Sequence, residues 1–297
     1  MIRVSVVVAM LAALPACSPS AEESAASAKR GASAAMANTD PALLALDAVL
    51  TGGWREPANV ARDVWRHPAQ TLAFFGVNPK QTVIEITPGG GWYAEILAPL
   101  LRENGCYIAA VMAPESATSD GEKRYYTKQI DTLMRKFAAE PKVYGDPEIR
   151  RFDQAKPLLG KPGSADAVLS FRNVHNWRGS GSVEAMFQGF FAVLKPGGIL
   201  GLVEHRANSG VGKEDGSGYV GQSQVIAWAS AAGFVLEASS EINANPADTK
   251  DHEAGVWSLP PSMSLGGKDR DKYAAIGESD RMTLRFRKPV AVADLRH

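Results

Sequence analysis

Between residues 83 and 101, a short apolar strand, a run of three glycines and an apolar helix follow one another without interruption. Val83-Ile84-Glu85-Ile86 is β-branched or apolar apart from Glu85, as expected of a strand covered on both faces. Gly89-Gly90-Gly91 leads directly into Trp92-Tyr93-Ala94-Glu95-Ile96-Leu97. A tight turn with positive φ would use some of these glycines. Three in succession exceed that need and leave bare backbone that a ligand can approach, with helix N–H groups aimed at it.

The alternation continues along the chain. Cys106–Met112 reads as a second, charge-free strand, 123–139 as a helix, Glu148–Phe152 as a third strand region and Ala165–Phe171 as a fourth. A helix over 183–194 ends at Lys195-Pro196-Gly197-Gly198, and 199–204 makes a fifth strand. A helix over 223–232 stops at Gly233, and 234–239 is a sixth strand. Arg281–Arg287 alternates and is expected as an antiparallel edge strand. The pattern predicts an α/β fold, a doubly wound and mostly parallel sheet with helices on both faces and an antiparallel C-terminal strand. Ahead of it, Asp40 is placed to cap a helix, and helical sequence over 57–75 is interrupted at His67-Pro68. Polar insertions at 207–221 and 245–273 follow strand ends, the side on which open α/β sheets bind ligands. A single domain is expected over 40–290.

The first residues read as a leader. Arg3 precedes the apolar run 4–14, which closes with Leu14-Pro15-Ala16-Cys17. The run is shorter than the roughly 18 apolar residues of a spanning helix, so 1–17 is expected to be a secretory signal peptide. Small residues before a cysteine suit a bacterial lipoprotein site, making Cys17 the lipid-bearing first residue of a periplasmic chain. Pro15 is unusual there, and plain cleavage nearby is the alternative. Residues 18–39 have no aromatic side chain and read as a flexible tether. Cys106 would then be the one cysteine of the mature chain, expected as a small core residue. Lys plus Arg and Asp plus Glu both total 32, without the basic excess of nucleic-acid binders.

The segment 83–91 resembles the first motif of the class I S-adenosylmethionine (SAM) methyltransferases. Glu85, Gly89 and Gly91 are in register, with Thr87 in place of the first glycine. Lys195-Pro196-Gly197-Gly198-Ile199-Leu200 is similar to the turn before the fifth strand in that superfamily, and Asp153 lies where it places an acid near the adenine. Segments 170–177 and 245–249 resemble a bacterial group of predicted exported methyltransferases. The resemblance spans about 83–286 and implies a Rossmann-like fold and SAM as cofactor, held by Glu85, Thr87, Gly89, Gly91 and Asp153. The second strand ends in Val111-Met112-Ala113-Pro114 rather than in the acid that holds the ribose in that family. Glu115, the nearest carboxylate, is the expected substitute.

The resemblance also places the loop after the fourth strand beside the transferred methyl group. Arg172, His175 and His205 are therefore the candidates to orient or deprotonate an acceptor, with Trp177 over the sulfonium. A well-packed loop is the alternative. Glu204-His205-Arg206 is either a second wall of that cleft or a salt-bridged strand end. In the later insertion Asn245, Asp248 and His252 are candidate lid residues, and His252 by itself reads as a surface residue rather than a ligand. His175, His205, Asp248 and His252 lack zinc-type spacing, so no metal is expected. No Gly-x-Ser-x-Gly elbow is present, nor a Gly-x-Gly-x-x-Gly turn with an acid after the second strand. The expected function is SAM-dependent methyl transfer to an unidentified small-molecule acceptor in the cell envelope. The alternative is a non-catalytic ligand-binding module of the same fold that has lost SAM turnover.

Overall fold

The structure, a computed structural model, describes residues 41–208 and 216–290. The expected leader, Cys17, the tether and the Asp40 cap lie outside the described residues, as does the middle of the first insertion. Seven strands build the sheet: β1 (Thr82–Ile86), β2 (Cys106–Met112), β3 (Glu148–Phe152), β4 (Ala165–Phe171), β5 (Leu194–His205), β6 (Val235–Ser240) and β7 (Arg281–Arg287). Their order is β3-β2-β1-β4-β5-β7-β6. The first five are parallel, and β7 runs antiparallel to both β5 and β6. The C-terminal strand is thus antiparallel, as expected, but it is not at the edge. It inserts between β5 and β6, because the alternating side chains of Arg281–Arg287 are buried on both faces.

The helices are α1 (Pro41–Leu50), α2 (Pro57–Val60), α3 (Asp63–Arg66), α4 (Pro68–Phe75), α5 (Ala94–Leu101), α6 (Asp120–Ala139), α7 (Pro141–Tyr144), α8 (Val174–Ser180), α9 (Val183–Val193), α10 (Gln222–Ala231) and α11 (Arg270–Ile276). The period of two along each strand divides the core into two layers. Ile84, Ile86, Leu200 and Leu284 pack on Phe187 and Phe190 of α9. On the opposite face Val83, Ala109 and Leu169 meet Phe75 of α4, Leu97 of α5 and Leu133 of α6. Each such side chain contributes about 1.5–3 kcal/mol on leaving water. Helix α6 begins earlier than its apolar pattern suggests because its first turn is reciprocally capped. Ser119 Oγ accepts from Glu122 N at 3.2 Å, and Glu122 Oε2 accepts from Thr118 N at 2.7 Å.

Two expectations about single residues are corrected. Cys106 is exposed, since it is the first residue of β2 and lies beyond the covering helices. His252 is buried rather than on the surface. Its Nε2 lies 2.9 Å from Asp248 Oδ1, and the same carboxylate accepts from the Tyr219 hydroxyl at 2.8 Å and from Asp280 N at 2.8 Å. This buried acid fastens the later insertion to the start of β7.

The chain leaves β1 toward β2 and β3 on one side and returns through β4 on the other. The loops after β1 and β4 therefore diverge, opening a crevice at the carboxyl ends of those strands.

Candidate functional site

A cleft of about 1340 Å³ occupies that crevice. The turn after β1 forms its floor, with φ of +50° at Thr87, +61° at Gly89 and +83° at Gly91. Thr87 N donates to Ala110 O at 2.8 Å, which pins the turn to β2. A side chain at Gly89 would meet nothing nearer than Gln129 Oε1 at 4.0 Å, so packing does not demand the glycine. What it provides is bare backbone facing the cleft, together with the left-handed φ. Gly91 has a different task. A Cβ there would lie 3.1 Å from Leu133, so this glycine lets α6 pack against the turn, and it does not line the cleft.

Glu85 lines the cleft from the end of β1, yet it is almost wholly buried. The Tyr107 hydroxyl donates to its Oε2 at 2.7 Å. Burial pushes its pKa up to about 8, against the Tyr107 hydrogen bond and the charge of Arg66. Near neutral pH the group is mostly an uncharged acid that an arriving cation would ionise. Asp153 lines the same cleft, and its Oδ1 accepts from Ala155 N at 2.8 Å. Glu115 does not reach the cleft; it is exposed and paired with Arg151 at 3.1 Å. From the end of β2 into α6 the lining residues are Met112, Ser116, Thr118, Glu122, Tyr125 and Tyr126 instead.

The opposite wall is organised by Glu204, at the end of β5 and with no exposed surface. Its Oε2 accepts from Val174 N at 2.6 Å and His175 N at 3.3 Å, the first N–H groups of α8. Its Oε1 accepts from His205 N at 2.7 Å and pairs with His175 Nδ1 at 3.0 Å. With the carboxylate as acceptor, Nδ1 is the donor of this pair, which leaves Nε2 as the ring nitrogen that can serve as a base. The His205 ring sits 5.3 Å away and its Nδ1 pairs with Ser279 Oγ at 2.5 Å. Burial, followed by the neighbouring His175 and Arg172, holds its pKa well below the usual histidine range, so it stays neutral.

His175, Glu204 and His205 also present one ligand atom each within 4.8 Å of one another. The chemistry of this set does not suit a cation. Both Glu204 oxygens are already engaged by N–H donors, and the guanidiniums of Arg172, Arg281 and Arg66 act on His205. Trp177 touches the cleft but is chiefly a packing residue. Its ring packs 5.4 Å from that of Phe190 and it is 2 % exposed, a core residue of α8.

A cluster of arginines, of which the sequence marks only Arg172, completes the cleft. Glu278 Oε1 accepts from Arg62 Nε at 2.6 Å, and its Oε2 faces Arg66 Nε at 3.3 Å and Arg281 Nη2 at 3.0 Å. Arg172 adds a fourth guanidinium from a residue with φ of +61°. Although burial alone would raise it, these four charges hold the Glu278 carboxyl down at about 2. The spacing Arg62-x-x-x-Arg66 was visible as a signal, but Glu278 lies 212 residues beyond Arg66. Arg206, by contrast, belongs to a salt-bridged strand end, with Asp280 at 2.9 Å and Glu241 at 2.7 Å.

No protein-family model and no curated protein matches the chain. Among solved structures, the 4+2 cyclase SpnF is similar at 16% identity over 76% of this chain and 81% of its own, with a TM-score of 0.52. A proposed sarcosine dimethylglycine methyltransferase from Galdieria sulphuraria is similar at 14% identity over 79% and 88%, with a TM-score of 0.51. The chain shares the Rossmann-like fold of these structures. A SAM-dependent methyltransferase from Aquifex aeolicus is also similar, at 14% identity over 79% of this chain and 94% of its own, with a TM-score of 0.49. One of these neighbours is named a cyclase, so the shared fold leaves the reaction to be argued from the site.

Proposed function

We propose that the protein is a SAM-dependent methyltransferase acting on a small molecule in the cell envelope. One observation carries this reading: the glycine turn and the His175–Glu204 pair face the same cleft. The bare backbone at Gly89 fits close approach by a ligand, and Glu85 is placed to accept from the cofactor's amino group. Asp153 would meet the adenine. SAM, when bound, supplies an already activated methyl group. The chain's own work is then to hold the acceptor in line and take its proton. His175 Nε2 is the base, Glu204 fixes the ring, and neutral His205 offers a second polar contact. A leader ending at Cys17, with a lipid on that residue, would place the enzyme at the periplasmic face of a membrane.

A second reading is favoured by the end of β2. Glu115 does not reach the cleft, being engaged by Arg151, and Glu122, the acid after β2 that does, is held by Thr118. A ligand-binding module without turnover would need neither. Isothermal titration of the mature protein with SAM and S-adenosylhomocysteine tests the first reading; no binding at millimolar ligand would overturn it. Gly89→Val forces a β-branched residue to φ of +61° and fills the floor of the cleft. It is expected to abolish binding while the circular dichroism spectrum is kept; retained affinity would move the site elsewhere. Incorporation of a labelled lipid precursor, with Cys17→Ser as the control, tests the anchor.

A further inference from the structure

Four guanidiniums, those of Arg62, Arg66, Arg172 and Arg281, act on one carboxylate, Glu278. Three of the four line the cleft. Buried arginines are ordinarily matched by acceptors, because an unmatched charge held out of water is costly. The next carboxylates do not supply the balance. Glu204 is filled by N–H donors, and Glu85 is mostly uncharged below pH 8.

The donors left over point to a missing acceptor. Arg66 is only 4 % exposed, and its Nη2 has no hydrogen-bond partner among the described residues; neither has Arg62 Nη2. Arg172 is half-buried at the cleft, its side chain has no ion-pair or hydrogen-bond partner among the described residues, and its backbone is held at φ of +61° by a bond from its N–H to Val203 O at 2.7 Å. Burial, then mutual repulsion, lowers the pKa of Arg66 to about 9 and that of Arg172 to about 10. These groups lie beside His205, and hence beside His175.

We propose that Arg62, Arg66 and Arg172 form an oxyanion subsite that holds a carboxylate or phosphate group of the acceptor, placing its nucleophile at His175. This rests on the methyl-transfer reading for the word acceptor; the subsite itself does not. Planar guanidiniums suit either anion through paired N–H donors. Arg172 follows β4, and Arg66 stands over the Trp92 ring at 4.7 Å, beside the end of the glycine turn, so the anion is expected between that turn and His175 and to bind together with the cofactor.

The test is titration of the mature protein with malonate and, separately, with inorganic phosphate at constant ionic strength, chloride being the control. It is followed by calorimetry and by melting temperature, with and without saturating S-adenosylhomocysteine. The expected result is saturable binding of at least one of the two anions and a raised melting temperature, with no effect of chloride. The stronger of the two identifies the acceptor group. Arg172→Gln should weaken that binding at least tenfold while melting higher than the wild type without anion, since it removes an unmatched charge. A residue kept only for packing would give the opposite change in melting. Arg66→Gln should weaken binding similarly; because Arg66 also bonds Glu278, Arg172→Gln carries the test if that variant does not fold. Absence of binding by both anions, or undiminished binding in Arg172→Gln, overturns the subsite. Displacement of the anion by S-adenosylhomocysteine overturns its assignment to the acceptor. Anion binding without S-adenosylhomocysteine binding would uphold the subsite and sink methyl transfer.

Discussion

His175 Nδ1 lies 3.0 Å from Glu204 Oε1, and the other oxygen of that carboxylate takes the first N–H groups of the helix on which His175 stands. One buried acid therefore fixes both the ring and the backbone that carries it. Glu204→Gln presents an amide in place of an acceptor on one side. The ring is expected to become a mixture of tautomers, which nitrogen NMR of the imidazole reads directly, at a stability cost of about 1–3 kcal/mol. An unchanged Nδ1–H tautomer would remove the orienting role.

His175→Ala is expected to lower methyl transfer by about 10²–10⁴-fold, the usual worth of a positioned general base, while S-adenosylhomocysteine affinity is kept. Affinity and rate falling together would show instead that His175 shapes the cofactor pocket.

Glu85 should make stability fall as pH rises. Its folded pKa of about 8 lies above the ordinary 4.5, so between these values the folded chain keeps a proton that the unfolded chain has released. The loss approaches about 1.4 kcal/mol per pH unit inside that window and levels off above it. Glu85→Gln has no such proton. It should match the wild type near pH 4.5 and exceed it at pH 8 in urea midpoints; parallel curves for the two proteins would refute the assignment.

The same group predicts proton release on cofactor binding. An ammonium beside Glu85 favours its ionised form, so the pKa drops when SAM or its product binds near pH 7. The binding enthalpy should then differ between phosphate and Tris buffers in proportion to their ionisation enthalpies. Glu85→Gln should abolish that difference.

Asp248 holds the later insertion through a single buried carboxylate with donors from Tyr219, His252 and Asp280. Asp248→Ala leaves those groups without their acceptor and is expected to cost about 3–5 kcal/mol. Tyr219→Phe removes one donor and should cost about 1 kcal/mol. Limited proteolysis within 245–273 should accelerate in the first variant and hardly in the second.

The sheet, the glycine turn and the position of His175 were legible because each is written locally. A period of two, a glycine run or a strand end needs only neighbouring residues to be recognised. What was missed depends on distant pairing. The place of β7 between β5 and β6 follows from burial on both its faces, which an alternating segment of seven residues does not announce. His252 looked like a surface residue, but Asp248 one helical turn earlier and Tyr219 from another loop make its burial favourable. Glu115 was nearest in sequence to the vacant ribose position, yet the short turn at Pro114 carries it outward to Arg151. Arg66 and Glu278 meet only once the whole sheet has formed.

The insertion of β7 also sets the order in which a growing chain can finish. β6 has no strand neighbour, and β5 only β4, until the segment from Arg281 onward has emerged, and Glu278, Ser279 and Arg281 arrive with it. Contacts of such long sequence separation form late. A nascent or truncated chain lacking this segment would hold the glycine turn and the histidines but neither the carboxylate that gathers the arginines nor the serine that anchors His205. Arrival of this strand and assembly of the candidate site thus become one event.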